Sequence, residues 1–337
     1  MSDARDPVLV VEDLEVQFAT DAGWVTVLDG VSFEVGRGET VGLVGESGSG
    51  KTVTSLAALG LLPDRSARIT RGSVRLDGTE LVGMPRRTLE GLRGDEISMI
   101  FQEPMTSLDP AFRVGDQIAE VVRRHKRGSR RAASARAVEV LGHVGIPNPE
   151  RRARSYPHEF SGGMRQRVMV AMAMACEPKV IIADEPTTAL DVTIQAQVLD
   201  LMRAMRDERG TAIVFVTHDL GVVADICDRA VVMYAGQVVE QAGVDDLYDG
   251  PRHPYTEALM TAMPQLTDRS SRLATIPGRT PAPGAMPAGC RFRPRCRHAL
   301  DRCREGDGGG RVEIRHLPPT RASRCLRVDE LTLRGTE

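Results

Sequence analysis

The stretch GESGSGKT, residues 45–52, decides the fold of this chain. It fits the phosphate-loop pattern, in which a glycine and four further residues precede glycine, lysine and a serine or threonine. The run ETVGLVG is typical of a strand before this loop, and KTVTSLAALGLL is typical of a helix after it. A glycine-rich turn with an incidental lysine is the alternative, and the complete pattern in this context disfavours it.

Each residue type in the loop suits the binding of phosphate. The glycines allow a tight turn that points several backbone N–H groups at a β-phosphate. Lys51 is predicted to neutralise the β- and γ-phosphates, and Thr52 to place its hydroxyl on Mg²⁺. The predicted nucleotide-binding residues of this stretch are Gly45, Glu46, Ser47, Gly48, Ser49, Gly50, Lys51 and Thr52.

Two carboxylates end the apolar run VIIADE, residues 180–185. Ligands of open α/β sheets bind at the carboxyl ends of the strands, where these acids emerge. Asp184 suits a Mg²⁺-linked role beside a phosphate loop. Glu185 is predicted to polarise the attacking water as general base. An ordinary pair of solvent-facing charges is the alternative, and the phosphate loop makes it less favoured.

Two other polar residues also follow apolar strands. His218 ends AIVFVTHD and is predicted to contact the γ-phosphate, although a lone histidine at a strand end is more often structural. Gln102 follows EISMIF and is predicted to reach the metal or the attacking water. Both are therefore candidate catalytic residues.

The segment FSGGMRQR, residues 160–167, stands before a helical run of Ala, Met and Val. Ser161 suits a helix N-cap, which is the simplest explanation for it. Gly162 and Gly163 would leave backbone N–H groups open at the positive end of that helix, where an anion binds. The segment therefore predicts a second phosphate contact.

Strands alternating with helices predict an α/β core with a mostly parallel sheet. Turns at Asp-Ala-Gly (21–23) and Asp-Gly (29–30) are predicted to divide a β-rich N-terminal part, and RAVVMYAGQVVEQAG predicts a hairpin that turns at Ala-Gly. Residues of about 104–175 are predicted to form a helical subdomain. Proline and glycine accumulate after residue 264, so we predict a domain over 1–263 and a small tail over 264–337.

The overall charge favours neither nucleic acid nor an acidic partner, because 44 basic and 46 acidic residues leave a net charge of −2. The basic run over 123–131 is predicted to be a solvated helix face, and contact with nucleic acid or anionic lipid is the less favoured alternative. No apolar run approaches the roughly 20 residues that span a bilayer, and the N-terminus lacks the layout of a signal peptide. The sequence therefore predicts a cytosolic chain.

Cysteines crowd the end of the chain, which in a cytosolic protein suggests a metal site more than disulfides. Four thiolates suit zinc or a [4Fe–4S] cluster, and the C-x2-C knuckles common in zinc sites are absent. Free or disulfide-bonded thiols are the third possibility, and His298 and His316 are alternative zinc ligands. Cys176 and Cys227 are predicted to be inert core residues. The predicted metal ligands are Cys290, Cys296, Cys303 and Cys325.

With these motifs in order, the chain resembles the ATP-binding subunits of ABC transporters over roughly residues 8–250. The resemblance covers the Walker A loop at 45–52, the Q-loop at Gln102, the signature at 160–164, the Walker B strand at 180–185, the D-loop at Ala189, Leu190 and Asp191, and the switch histidine His218. It implies a P-loop ABC ATPase core with an antiparallel β subdomain and a helical subdomain.

The resemblance also implies roles that the residues alone do not reveal. Phe18 stands where this family places an aromatic ring that stacks on adenine, with Trp24 as the alternative, and Asp191 joins the nucleotide-binding residues. Two subunits are implied to hold two ATP molecules head to tail, so that Ser161, Gly162 and Gly163 face the γ-phosphate of the partner. ATP then closes the pair and hydrolysis opens it.

A narrower resemblance is to the subunits that energise oligopeptide, dipeptide and nickel importers. Met164 after Ser-Gly-Gly, the run HPYTEAL at 253–259 and the cysteine-rich tail carry this likeness. It implies a similar but distinct ATPase partner, two membrane permease subunits, an extracytoplasmic solute-binding protein and a peripheral location on the cytoplasmic face of the membrane. It also favours the [4Fe–4S] cluster over zinc.

A soluble ABC ATPase that acts on DNA or ribosomes is the competing hypothesis. Too few residues separate Lys51 from Ser161 for the long coiled coil of chromosome-type ATPases, and translation-type ATPases carry two cassettes where this chain has one. The chromosome-type and the translation-type ATPases are therefore both disfavoured. Peptides, nickel and some glycosides or opines all remain possible solutes.

Overall fold

The computed structural model describes residues 6–102, 107–126, 128–188, 192–262, 275–307 and 310–335. These residues form two compact units, each assembled from separate stretches of the chain. The first unit is built from the described parts of Met1–Leu9, Val35–Thr40 and Gly83–Phe215, and the second from those of Val10–Glu34, Val41–Val82 and Val216–Glu337.

Twelve strands lie in the described part of the chain. They are β1 (Pro7–Thr20), β2 (Gly23–Gly36), β3 (Thr40–Val44), β4 (Ala67–Leu76), β5 (Thr79–Glu80), β6 (Ile97–Ile100), β7 (Val180–Asp184), β8 (Ala212–Thr217), β9 (Arg229–Tyr234), β10 (Gln237–Gly243), β11 (Arg315–Leu317) and β12 (Arg321–Ser323).

Eleven α-helices lie in the same ranges. They are α1 (Lys51–Ala58), α2 (Arg86–Leu92), α3 (Val114–His125), α4 (Arg130–His143), α5 (Pro149–Arg152), α6 (Gly162–Met174), α7 (Val192–Arg209), α8 (Leu220–Ile226), α9 (Val244–Asp249), α10 (Pro254–Thr261) and α11 (Arg302–Glu305). Short 3₁₀ turns occur at Pro157–Glu159 and Arg293–Arg295.

In the first unit, neighbouring strands follow the order β8-β7-β6, and β6 and β7 run parallel with Ile97 opposite Val180. Every residue of β7 is buried, as expected for a parallel strand covered on both faces. The helices α3, α4 and α6 of this unit pack against one another through apolar side chains that include Ile118 and Val140.

The second unit holds a four-stranded sheet in the order β2-β1-β4-β5 and the strand series β11-β12-β10-β9-β3. β3 and β9 are parallel, whereas β9, β10 and β12 pair antiparallel. The sheets are thus mixed, which agrees with the predicted α/β class.

The predicted hairpin between β9 and β10 is confirmed. Its turn places Ala235 at φ 47° and Gly236 at φ 79°, and two successive left-handed residues are the requirement of a type I′ turn. The predicted turn at residues 29–30 is wrong, because β2 continues through it. The backbone N–H of Asp29 donates to the Gly236 carbonyl, so a tertiary contact occupies the group that a local turn would have used.

The C-terminal region, predicted as a small tail, contains strands and buried apolar side chains. β12 pairs with β10, so this region extends the strand series of the second unit. Phe292, Val312, Val328 and Leu333 are all buried. Apolar packing and strand pairing therefore contribute to its folding independently of any metal. The boundary at residue 264 stays a prediction.

Within the described ranges, no helix combines the length and the apolar character that crossing a membrane requires.

Candidate nucleotide-binding site

The phosphate loop follows the buried strand β3 in the second unit and leads into α1. A Cβ on Gly45 would stand 2.2 Å from the Met233 carbonyl oxygen, and the residue has φ 155°. Only glycine fits there, because the loop passes against the end of β9. Gly50 at the start of α1 has φ 105°, so α1 begins with a left-handed residue and no side-chain cap.

Lys51 lies along the inside of the loop and is 6% exposed. Its Nζ donates to the carbonyl oxygens of Gly45, at 2.7 Å, and Glu46, at 3.2 Å. The hydroxyl of Ser49 is buried and has no hydrogen-bond partner among the described residues. A positive charge and an unsatisfied hydroxyl in a glycine loop fit the terminal phosphates of a nucleotide. Thr52 is exposed, so its hydroxyl is accessible to Mg²⁺.

Glu46 makes contacts within the second unit that sequence reasoning missed. Arg295 forms a bidentate ion pair with its carboxylate, with Nη1 2.6 Å from Oε2 and Nη2 3.0 Å from Oε1. The backbone N–H of Glu46 donates to Tyr255 Oη at 2.8 Å. Hydrogen bonding to Glu46 raises the pKa of Arg295, and burial raises the pKa of Tyr255. The sequence signal that could have indicated these contacts is the presence of a carboxylate inside a phosphate loop.

The carboxylates at the end of β7 belong to the first unit. Asp184 is 2% exposed, and the next residue, Glu185, has a left-handed backbone at φ 48°. Gln102 Nε2 donates to Glu185 Oε2 at 2.9 Å, and Thr188 Oγ1 donates to the same oxygen at 3.0 Å. The structure thus brings two predicted residues together, and it adds Thr188, which the sequence did not single out.

The signature segment begins α6 in the first unit. The Ser161 side chain accepts a hydrogen bond from the Met164 N–H at 3.4 Å, which is the predicted N-cap. Ser161 and Gly162 are exposed, and a Cβ on Gly162 would meet nothing within 4 Å. Gly163 faces Ile194, which would stand 2.9 Å from an added Cβ. The start of this helix is therefore open to a ligand or a partner.

The remaining predicted residues are more dispersed. His218 is exposed and follows β8. Phe18 lies half-buried in β1. Trp24 is 43% exposed, and the Arg68 guanidinium covers one face of its ring at 4.1 Å from the ring centroid. Asp191 lies outside the described residues.

The four C-terminal cysteines line one small pocket of the second unit, together with Phe292 and other side chains. Burial raises the pKa of Cys290 to about 11 and that of Cys325 to about 12. Among the described residues, no three histidine, cysteine, aspartate or glutamate side chains are grouped so as to hold a metal ion. Cys176 and Cys227 are buried elsewhere, as predicted.

Comparison with known proteins places these features in a family. A family model described as ABC transporter matches residues 28–188, and one described as oligopeptide/dipeptide transporter, C-terminal region, matches residues 239–303. The chain is 49% identical over 319 residues to a putative peptide import ATP-binding protein of Brucella abortus (strain 2308), an alignment covering 95% of this chain and 94% of the relative.

A second relative and a solved structure agree. The oligopeptide transport ATP-binding protein AppD of Bacillus subtilis (strain 168) is 50% identical over 296 residues, covering 88% of this chain and 90% of AppD. The dimeric ATP-binding cassette MJ0796, solved in a post-hydrolysis state with ADP and Pi, superposes with a TM-score of 0.63 at 27% identity, covering 70% of this chain and 98% of that one. The chain belongs to the ABC transporter family, among the ATP-binding proteins with an oligopeptide/dipeptide transporter C-terminal region.

Proposed function

We propose that this chain is the ATP-binding and ATP-hydrolysing subunit that energises a peptide importer. The observation that carries the proposal is the glycine loop in which Lys51 is buried against the carbonyls of Gly45 and Glu46. The ammonium of Lys51 places a positive charge inside the glycine loop, where a phosphate anion can accept charge-assisted hydrogen bonds from it. Relatives at 49–50% identity named as peptide import and oligopeptide transport ATP-binding proteins support the same function.

Nucleotide binding is assigned to the loop. The ammonium of Lys51 and backbone N–H groups of the loop bind the β- and γ-phosphates, while Phe18 stacks on adenine. The N–H groups of Glu46 and Ser49 are excluded from this role, because they donate to Tyr255 Oη and to the Glu46 carbonyl. Trp24 is the alternative stacking residue, although Arg68 already covers one of its faces. Thr52, Gln102 and Asp184 would hold Mg²⁺, which neutralises charge on the phosphate oxygens when bound.

Hydrolysis is assigned to Glu185 as general base toward the attacking water. Gln102 and Thr188 both donate to Glu185 Oε2, so they hold the carboxylate in one orientation. His218 is assigned to the γ-phosphate as a hydrogen-bond donor.

Each chain supplies half of two sites. The exposed start of α6 at Ser161 and Gly162 is suited to the γ-phosphate bound by a partner chain, with Asp191 of the D-loop beside it. The MJ0796 cassette, solved as a dimer, supports a paired arrangement. We propose a similar but distinct ATPase as the partner.

Transport requires further subunits. We propose two membrane permeases and, indirectly, an extracytoplasmic solute-binding protein, with this chain peripheral at the cytoplasmic face of the membrane. The C-terminal match to oligopeptide/dipeptide transporters favours peptides over nickel or another solute. A soluble role on DNA or ribosomes has less support.

The cysteine pocket is proposed to hold a [4Fe–4S] cluster, with zinc as the alternative. A single zinc ion requires four sulfurs within about 2.3 Å of one point. In a four-iron cluster each iron takes one cysteine, so the thiols can stand further apart around a pocket wall. Cys290, Cys296, Cys303 and Cys325 all line the pocket, which supplies the four thiols that such a cluster requires.

A direct experiment combines purification and titration. The chain, expressed with its flanking genes, should co-purify with two multi-spanning membrane proteins, and the complex should hydrolyse ATP in a peptide- and binding-protein-dependent manner. Lys51→Ala should abolish nucleotide binding. Recovery with ribosomes or DNA instead, or undiminished ATP binding by Lys51→Ala, would contradict the proposal.

A further inference from the structure

The phosphate loop contains an acidic side chain, which is unfavourable for a triphosphate ligand. Glu46 directly follows Gly45, and its carbonyl oxygen accepts a hydrogen bond from Lys51. An unpaired carboxylate at this position would repel the anion that the loop is built to bind. The loop therefore requires a counter-charge that is in place before the nucleotide arrives.

Arg295 supplies that charge from the C-terminal region. Its side chain is 4% exposed and pairs with both carboxylate oxygens of Glu46. On its other side, Nε donates to the Pro277 carbonyl at 2.8 Å and Nη2 to the Ile276 carbonyl at 3.3 Å. Hydrogen bonds on both sides hold the guanidinium in one plane. The bidentate pair neutralises the carboxylate and also fixes its orientation.

The backbone of the loop is anchored from the same direction. Glu46 N–H donates to the hydroxyl of Tyr255, which comes from α10 and is fully buried. The rings of Tyr255 and Phe292 lie 5.3 Å apart. Side chain and backbone of Glu46 are thus both held by the C-terminal half of the second unit.

A second contact holds the far end of the loop. Gly236 N–H in the β9–β10 turn donates to the Ser49 carbonyl at 2.9 Å. Arg291 donates to the carbonyl of Ala235 in that turn and to the carboxylate of Asp29. Arg291 and Arg295 stand immediately after and before the cysteines Cys290 and Cys296. The segment between two pocket cysteines therefore contacts the phosphate loop directly through Arg295, and indirectly through Arg291 and the β9–β10 turn.

We propose that Arg295 is a positioning residue for the nucleotide, which acts by neutralising Glu46 and holding the phosphate loop in its binding conformation. The inference rests on the proposed nucleotide site. It gives the C-terminal region a role in nucleotide affinity that is separate from any role of the cysteine pocket itself. Arg295 touches neither substrate nor water in this role.

The test measures ADP affinity by calorimetry, which avoids hydrolysis, and KM and kcat for ATP in the intact transporter complex. Arg295→Met should weaken ADP binding roughly ten- to a hundredfold, the loss expected when a charge-assisted hydrogen-bonded pair is broken. KM for ATP should rise in step, while kcat at saturation stays within about threefold. Arg295→Lys keeps the positive charge but removes the planar, bidentate guanidinium, so it should weaken ADP binding roughly three- to tenfold.

The double variant separates positioning from general stability. If Arg295 acts through Glu46, Arg295→Met/Glu46→Gln should recover most of the lost affinity, because the unneutralised carboxylate is gone. Arg297→Met is the matched control, since Arg297 also adjoins Cys296 but pairs with Glu257 at 2.8 Å. Its ADP affinity should equal that of the unmodified protein.

Three outcomes would overturn the inference. These are ADP binding within twofold of normal in both Arg295 variants, an equal loss in Arg297→Met, and no recovery in the double variant. If Arg295→Met does not fold, Arg295→Lys decides alone, and unchanged affinity refutes the inference. Failure of the proposed nucleotide site is distinct, because the unmodified protein would then bind no ADP.

Discussion

The side-chain amide of Gln102 donates a hydrogen bond to Glu185, with Nε2 2.9 Å from Oε2. The two residues lie 83 positions apart in sequence and meet because β6 and β7 are parallel neighbours. Parallel neighbours bring their carboxyl ends to one edge of the sheet. This contact orients the proposed general base.

Glu185→Gln should abolish ATP turnover while sparing ATP binding. An amide cannot accept a proton from water, so kcat should fall by at least about a hundredfold. ATP should then accumulate in a closed pair of ATPase subunits, visible as an ATP-dependent increase in mass by size-exclusion chromatography with light scattering. Lys51→Ala, which should not bind ATP, is the control. Normal hydrolysis by Glu185→Gln would remove Glu185 from its role.

Thr188→Val should lower kcat for ATP roughly fivefold, with KM within about twofold. The change keeps the shape of the side chain and removes the hydroxyl that donates to Glu185 Oε2. Gln102→Leu should lower kcat further than Thr188→Val, because it removes the other donor to Glu185 and a proposed Mg²⁺ ligand. Steady-state kinetics on the purified complex checks both. An unchanged kcat in Thr188→Val would show that Gln102 alone suffices to orient the base.

Gly236→Ala should destabilise the second unit strongly. Gly236 has φ 79°, and an added Cβ would stand 1.9 Å from the Val27 carbonyl oxygen. Gly78 has nearly the same φ, 77°, with nothing within 4 Å, so Gly78→Ala isolates the backbone strain from the clash. We expect Tm to fall by roughly 5–10 °C in Gly236→Ala and about 2–4 °C in Gly78→Ala. Equal decreases would show that the hairpin can move away from β2.

His253 should make stability decline below neutral pH. Burial lowers the pKa of this fully buried imidazole to about 3, whereas an unfolded histidine titrates near about 6.5. The unfolded chain therefore binds the proton first, and stability is lost as pH falls from about 6.5 toward 3. Between pH 6.5 and 5, protonation of this group in the unfolded chain should lower the free energy of unfolding by about 1.5 kcal/mol.

The matched variant for this prediction is His253→Asn. His253 Nδ1 accepts the Tyr255 N–H at the start of α10, and an asparagine oxygen can accept the same bond without titrating. Glu240, whose pKa burial raises, is present in both proteins and cancels in the comparison. Denaturant unfolding at pH 6.5 and 5 should show a smaller loss for His253→Asn. Identical losses would contradict the assignment.

Cys303→Ser and Cys325→Ser should each abolish iron and acid-labile sulfide in protein purified without oxygen. Both thiols are buried in the pocket wall, and a hydroxyl is a poor ligand for iron. Cys176→Ala, a buried cysteine outside the pocket, should retain full iron content. Stoichiometric zinc without iron in the unmodified protein would assign the pocket to zinc.

Much of the candidate site could be predicted because its polar residues lie close together in short sequence motifs. Asp184 and Glu185 end an apolar strand and Gln102 follows its parallel neighbour, so the rule that parallel strands present their carboxyl ends at one edge predicts that Gln102 and Glu185 lie close together. The cysteine site was predicted from the crowding of four cysteines in a short segment. What they hold stays a prediction.

The contacts of Glu46 could not be predicted. Arg295 is 249 residues away in sequence, and no periodicity relates the two. Their pairing depends on where the C-terminal region folds back, which is set by β12 joining β10 and by the packing of Phe292. The prediction of a turn at Asp29-Gly30 was wrong for the same reason. A hydrogen bond to the distant β9–β10 hairpin fixes the backbone at Asp29.

The pairing of β12 with β10 has a consequence for shortened versions of the protein. Glu240 and Gln241 of β10 lie opposite Ser323 and Ala322, so deleting the last segment would uncover a row of backbone donors and acceptors. Exposed sheet edges recruit strands from other molecules. A chain cut after α10 should therefore self-associate into insoluble material, because the C-terminal region covers this edge of the sheet.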